Sequence, residues 1–148
     1  MRIKRIDHVG IAVSDKAAAE SFLTDILSAR KIMDESWAYG GQEFNWAYFL
    51  IGEQGMVELI SSSDPGNFIN RFIEKRGEGL HHVTLQVEDL EEAVRFLESK
   101  GVKVVDVNME NPLWKEAYIS PRSAFGVLIQ LAEFDESYWA SQADLEGP

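Results

Sequence analysis

The chain has 148 residues, 45% of them hydrophobic, and 14 basic against 25 acidic side chains give a net charge of −11. That size and apolar content suit one compact domain, and the acid excess excludes the basic surface that phosphate backbones require. No run of about 18 apolar residues is present to span a membrane, and a chain without cysteine has neither disulfides nor thiolate metal ligands.

The basic start Met1-Arg2-Ile3-Lys4-Arg5 is followed by Asp7 and His8, which break any apolar leader core. No signal peptide is read there, and a cytoplasmic location is expected. Residues 3–13 read as a strand, with Val9, Ile11 and Val13 on one face and His8, Gly10 and Ala12 on the other. Ser14 or Asp15 caps a helix expected over 15–27, with Ala18, Phe22 and Ile26 recurring at four-residue spacing beside Ala19 and Leu23. Strands follow at 30–38, 44–51 and 56–60, with turn signals at Gly40-Gly41 and Gly52-Glu53-Gln54-Gly55. A loop at 61–66 leads into a connecting helix near 67–76.

Strand 79–87 opens a second half. Helix 89–100 presents Leu90, Ala93, Val94 and Leu97 on one face and stops at Gly101. Strands at 102–107, 116–120 and 126–133 complete the half, and a short helix is expected at 136–143. The order is βαβββ twice: module 3–62, helical connector 64–78, module 79–134, together a single domain over 1–148. The fold class is α+β, with two modules expected to form a curled mixed sheet around a shared site.

The repeat is also visible residue by residue. His8 and His82 stand 74 positions apart, as do Val13 and Val87, and Asp15 and Asp89. Near the module ends, Glu58 in Met56-Val57-Glu58-Leu59-Ile60 matches Gln130 in Leu128-Ile129-Gln130-Leu131-Ala132. These are four polar side chains in otherwise apolar strands, where an unpartnered polar group costs about 1–3 kcal/mol. A lone strand histidine is ordinarily a hydrogen-bonded scaffold residue, but paired positions in both halves point to a common purpose. Two imidazoles, a carboxylate and an amide oxygen suit a divalent Zn, Co, Ni, Mn or Fe ion. Four such ligands on a six-coordinate ion leave two positions for neighbouring oxygens of a substrate. His81 lies on the other face of its strand from His82 and reads as scaffold.

This pattern resembles the vicinal oxygen chelate superfamily of glyoxalases, bleomycin resistance proteins and dioxygenases, over about residues 3–134. Ile6-Asp7-His8-Val9-Gly10-Ile11-Ala12-Val13, Gly79-Leu80-His81-His82-Val83, and Ser120-Pro121-Arg122-Ser123 leading to Gly126-Val127-Leu128-Ile129-Gln130-Leu131 are most similar to the methylmalonyl-CoA epimerases. The resemblance implies a metal-dependent epimerase with His8, Glu58, His82 and Gln130 as ligands, which removes a proton beside a carbonyl and stabilises the enolate. It also implies an acyl-CoA or other small-molecule substrate and a homodimer. The chain departs from the epimerase pattern in its last strand. The family usually carries Glu where Gln130 stands, and an amide cannot accept the proton. Glu58 is then the first candidate base, with Glu43 or Glu116 as the second, although a solvated surface carboxylate is the plainer reading of both. Arg122 is either a receiver for an anionic substrate group or an exposed turn residue. Trp46, Tyr48, Trp114 and Tyr118 are candidates for the pocket wall or the core. Rival activities within the resemblance are a glyoxalase I-type lyase, a dioxygenase, and a small-molecule binding or resistance protein without turnover.

Overall fold

A computed structural model describes residues 1–39, 42–135 and 137–139. The Gly40-Gly41 turn lies outside them, as does most of the helix expected at 136–143. The elements in chain order are β1 (Ile3–Ala12), α1 (Lys16–Ser21), β2 (Arg30–Tyr39), β3 (Gln42–Ile51), β4 (Gly55–Ser61), α2 (Phe68–Arg76), β5 (Gly79–Val87), α3 (Leu90–Ser99), β6 (Val104–Asn108), β7 (Lys115–Ile119) and β8 (Leu128–Glu133). The α+β class and the repeated βαβββ order are both present. No helix among the described residues is long and apolar enough to cross a membrane.

The chain divides into two compact units. Among the described residues, one comprises residues 1–8 and 82–139 and the other residues 9–81. In the first, the strand order is β1-β5-β8-β7-β6. β5 and β8 are parallel, and β7 runs antiparallel to both β8 and β6. Asp89 caps α3, its side chain accepting from the Glu92 amide at 2.7 Å, and Gly101 ends the helix in the left-handed region at φ 75°. The expected face of α3 is the buried one. Leu90, Ala93 and Leu97 pack with Val87, Ala117, Ile119 and Leu131 into one apolar cluster. Glu133 at the end of β8 ties this layer together, accepting from the Leu90 amide at 2.8 Å and from Lys115 Nζ at 2.6 Å. Its hydrogen bond raises the Lys115 ammonium above the usual lysine range.

The second unit has the order β2-β3-β4-β1, with β1 and β4 parallel and the remaining neighbours antiparallel. Leu23, Phe49, Leu59, Val13, Ala29 and Ala47 form its main cluster. A smaller one of Ala12, Ile60 and Ile69 is joined by Phe44, Trp46, Phe72 and Ile73. Here one expectation fails. The helix predicted over 15–27 is α-helical only to Ser21, and Phe22–Ile26 form a π-helical turn. The Leu27 amide reaches back five residues to the Phe22 carbonyl at 3.3 Å, which widens the turn and breaks the four-residue spacing. Leu23 is buried, whereas Ala18, Phe22 and Ile26 are exposed.

Leu131 is fully buried between α3 and the sheet. Replacing it with Ala is expected to lower folding stability by about 3 kcal/mol, measured by urea denaturation. A loss below about 1 kcal/mol would mean that this cluster does not hold the unit together.

Candidate active site and metal centre

Alternation along each strand of the first unit gives its sheet two different faces. Val87, Ala117, Ile119 and Leu131 point to α3. Most of the intervening residues are polar, with Leu128 and Ala132 of β8 the apolar exceptions. On β5 these are His82, Thr84 and Gln86, all buried. Gln130 on β8 is buried as well, and Glu116 and Tyr118 on β7 are half-buried. The strand register puts Gln130 opposite both Thr84 and Tyr118, and Glu116 opposite Ala132. His8 of β1 joins this set, its ring 5.6 Å from that of His82 and nearly perpendicular to it.

These groups form a continuous hydrogen-bonded chain. The Thr84 hydroxyl donates to Gln130 Oε1 at 2.6 Å and contacts His8 Nε2 at 2.9 Å. Gln130 Nε2 donates to Glu116 Oε2 at 2.7 Å and to the Tyr118 hydroxyl at 2.9 Å. Trp114 Nε1 at 3.1 Å and the Tyr118 hydroxyl at 3.4 Å also donate to Glu116 Oε2. The acidic and phenolic partners fix the amide of Gln130, because a flipped amide would set its oxygen against a carboxylate.

His8 is oriented from behind. Its Nδ1 lies 2.9 Å from Asp7 Oδ2. The Asp7 side chain is fully buried and accepts from Arg5 Nε at 3.2 Å, Arg5 Nη2 at 3.0 Å and Trp139 Nε1 at 3.1 Å. A carboxylate facing Nδ1 keeps a proton there and directs Nε2 into the polar face. An aromatic group surrounds this pair. Trp114 stacks on Phe134 with centroids 4.6 Å apart and planes 9° apart, and Trp139 lies edge-on to His8 at 6.4 Å. Gln86 Nε2 holds the Phe134 carbonyl at 3.1 Å.

The other expected site residues lie in the second unit or on exposed turns. Glu58 is buried in β4, opposite Gly10 on one side and Tyr48 on the other. Tyr48 is buried, and Trp46 packs against Phe44 at 5.3 Å. Glu43 is exposed at the start of β3, where its backbone carbonyl, not its carboxylate, accepts from Asn67 Nδ2 at 3.1 Å. Arg122 is exposed in the short 3₁₀ turn Pro121–Ser123. His81 contacts the rings of Phe72 at 4.8 Å and Phe68 at 5.8 Å, apart from the face that carries His82. Glu116 differs from the surface reading. Strand parity turns it toward Gln130, where three donors meet its carboxylate.

The sequence reading does not reach Asp7, Thr84 or Trp139. Asp7 adjoins His8, and an acid beside a candidate ligand is a usable signal. Thr84 has no such mark, since threonine is common in strands. The donor set fits a divalent ion. His8, Glu58 and His82 are buried groups that each offer one ligand atom, and Gln130 offers an amide oxygen.

Residues 7–118 match the family described as the glyoxalase/bleomycin resistance protein/dioxygenase superfamily. The chain belongs to that superfamily. The uncharacterized protein YqjC of Bacillus subtilis is 33% identical over 133 residues, covering 88% of this chain and 93% of that protein. Mitochondrial methylmalonyl-CoA epimerase of Dictyostelium discoideum is 25% identical over 138 residues, 88% of this chain and 79% of the relative. Among solved structures, methylmalonyl-CoA epimerase of Mycobacterium tuberculosis superposes with a TM-score of 0.80 at 30% identity, covering 93% of each chain.

Superfamily membership leaves the anchoring of His8 to be tested in this chain. Asp7→Asn places an amide among donors that need an acceptor. It is expected to cost about 2 kcal/mol of stability, since hydrogen bonds to charged groups are worth about 1.5–3 kcal/mol each. An unchanged denaturation midpoint would show that Asp7 does not hold His8, Arg5 and Trp139 together.

Proposed function

We propose that this chain is a metal-dependent isomerase that removes a proton beside a carbonyl, of the methylmalonyl-CoA epimerase type. The observation that carries the reading is the clasp of Gln130 on Glu116, a carboxylate hydrogen-bonded to the candidate ligand Gln130. Gln130 stands where an epimerase usually carries an acid, and Glu116 supplies the missing carboxylate from the adjoining strand. The epimerases among its relatives support the same assignment.

His8, His82, Glu58 and Gln130 are assigned as the metal ligands. A bound divalent ion would supply Lewis-acid polarisation of the substrate carbonyl, which lowers the cost of enolate formation. Trp114, Tyr118 and Gln130 hold Glu116 Oε2, so proton uptake is assigned to Oε1. The return of a proton to the other face is assigned to Glu58, with the exposed Glu43 as the second choice. Arg122 is assigned to an anionic group of an acyl-CoA, and Trp46, Tyr48 and Tyr118 to the substrate walls.

Purified protein is expected to carry about one divalent ion per chain, the number that one tetradentate site holds. His82→Ala should abolish this binding, and His81→Ala should leave it intact. Elemental analysis reads both, and equal loss in the two variants would overturn the separation of the histidines.

Incubated with methylmalonyl-CoA in deuterated water, the enzyme is expected to exchange the α-proton. Glu116→Gln should slow that exchange by about 10²–10⁴-fold at unchanged metal content. No exchange by the parent would reject this substrate. Oxygen uptake with catechols would instead favour a dioxygenase.

A further inference from the structure

Phe125 stands out on the surface of the first unit. Its side chain is 104% exposed, and none of the apolar clusters includes it. Its backbone is left-handed at φ 54°, next to Gly126 at φ 91°. Ser28 and Asp106, which share that region, are small, whereas a bulky ring there is an outlier. The turn is fixed by its own backbone. The Pro121 carbonyl accepts from the Ala124 amide at 3.2 Å and from the Gly126 amide at 2.8 Å, and the Val127 amide donates to the Ala124 carbonyl at 2.9 Å. Strained positions of this kind cluster where a protein clamps a ligand.

The surroundings are basic in an acidic chain. Residues 99–105 and 117–129 contain Lys100, Lys103 and Arg122 and no acid, against a net charge of −11 for the whole chain. Lys103 adjoins the turn, its amide donating to Ser123 Oγ at 3.1 Å and its carbonyl accepting from the Ser120 amide at 3.0 Å. Lys103 and Arg122 are both exposed. The turn leads into β8 at Leu128, which faces His82 in register and lies about 7 Å of strand before Gln130. We propose that Phe125 stacks on the adenine of an acyl-CoA while Arg122 and Lys103 receive its phosphates. This rests on an acyl-CoA being the substrate. An aromatic face takes up a base, and a guanidinium matches phosphate oxygens. Coenzyme A carries both groups at the far end of a flexible arm from its thioester. A nucleotide seat on this turn therefore leaves the acyl end for the polar face around Gln130.

The probes are coenzyme A and 3′-phosphoadenosine 5′-diphosphate, with affinity read by calorimetry. Phe125→Gly removes the ring and suits the left-handed backbone, so its melting temperature should stay within about 3 °C of the parent's. It should bind both probes about tenfold more weakly, and Phe125→Tyr should match the parent. Arg122→Gln should also weaken both and make the affinity less dependent on salt. Unchanged affinity of Phe125→Gly for either probe overturns the stacking, and a smaller sedimentation coefficient beside it would give the ring to a second copy of the chain. No binding of either probe by the parent overturns the stacking together with the acyl-CoA assignment. Exchange of the α-proton by the parent judges the isomerase reading separately, so exchange together with an unchanged affinity in Phe125→Gly would sink the stacking alone. Should Phe125→Gly fail to fold, Phe125→Asn takes its place, since asparagine also accepts the left-handed region.

Discussion

The site depends on the burial of a polar strand face. In the first unit, α3 takes one side of the sheet with Leu90, Ala93 and Leu97, so every second residue of β5, β7 and β8 is turned the other way. The polar ones among them are His82, Thr84, Gln86, Glu116, Tyr118 and Gln130, with His8 beside them. Polar groups withdrawn from water must pair with one another, and each unpaired one costs as much as a well-made hydrogen bond gains. The chain from Asp7 through His8, Thr84 and Gln130 to Glu116 meets that requirement. Each member orients the next, so the arrangement that stabilises the face also aims its ligand atoms.

The network also bears on the amide in the last strand. Gln130 cannot accept a proton, yet its Nε2 holds the carboxylate of Glu116 while its oxygen stays toward Thr84 and His8. In the proposed mechanism the two tasks of a single ligating acid are divided between neighbouring strands, with Gln130 assigned to ligate and Glu116 to take the proton. The proposed isomerase chemistry follows from that division. The aromatic group of Trp114, Phe134 and Trp139 lies against His8 and keeps water from its Asp7 partner, which strengthens the bonds they make.

The second unit brings a different element to the same family pattern. Glu58 is a carboxylate buried in an apolar strand, flanked in register by Gly10 and Tyr48. Gly10, without a side chain, leaves room beside it. The βαβββ order recurs around Glu58 and around Gln130, and the two strands carry them at matching positions.

Much of this was legible in the sequence because alternation in strands and four-residue spacing in helices are local properties. Strand 79–87, the buried face of α3 and the opposite directions of His81 and His82 follow from periodicity, and the paired histidines follow from the repeat. Periodicity misread the extent of the first helix, because a π turn replaces the α-helix after Ser21 and local spacing does not foretell it. Tertiary structure alone decided which polar groups meet. Asp7 gains Trp139 from 132 positions away, Thr84 reaches His8 across 76, and Glu116 finds Gln130 only because β7 and β8 pair in register. The sequence by itself determined the elements and the face on which each polar residue lies. The partner of each hydrogen bond, and so the role proposed for Glu116, came from strand pairing, since the contacts are made between residues far apart in the chain.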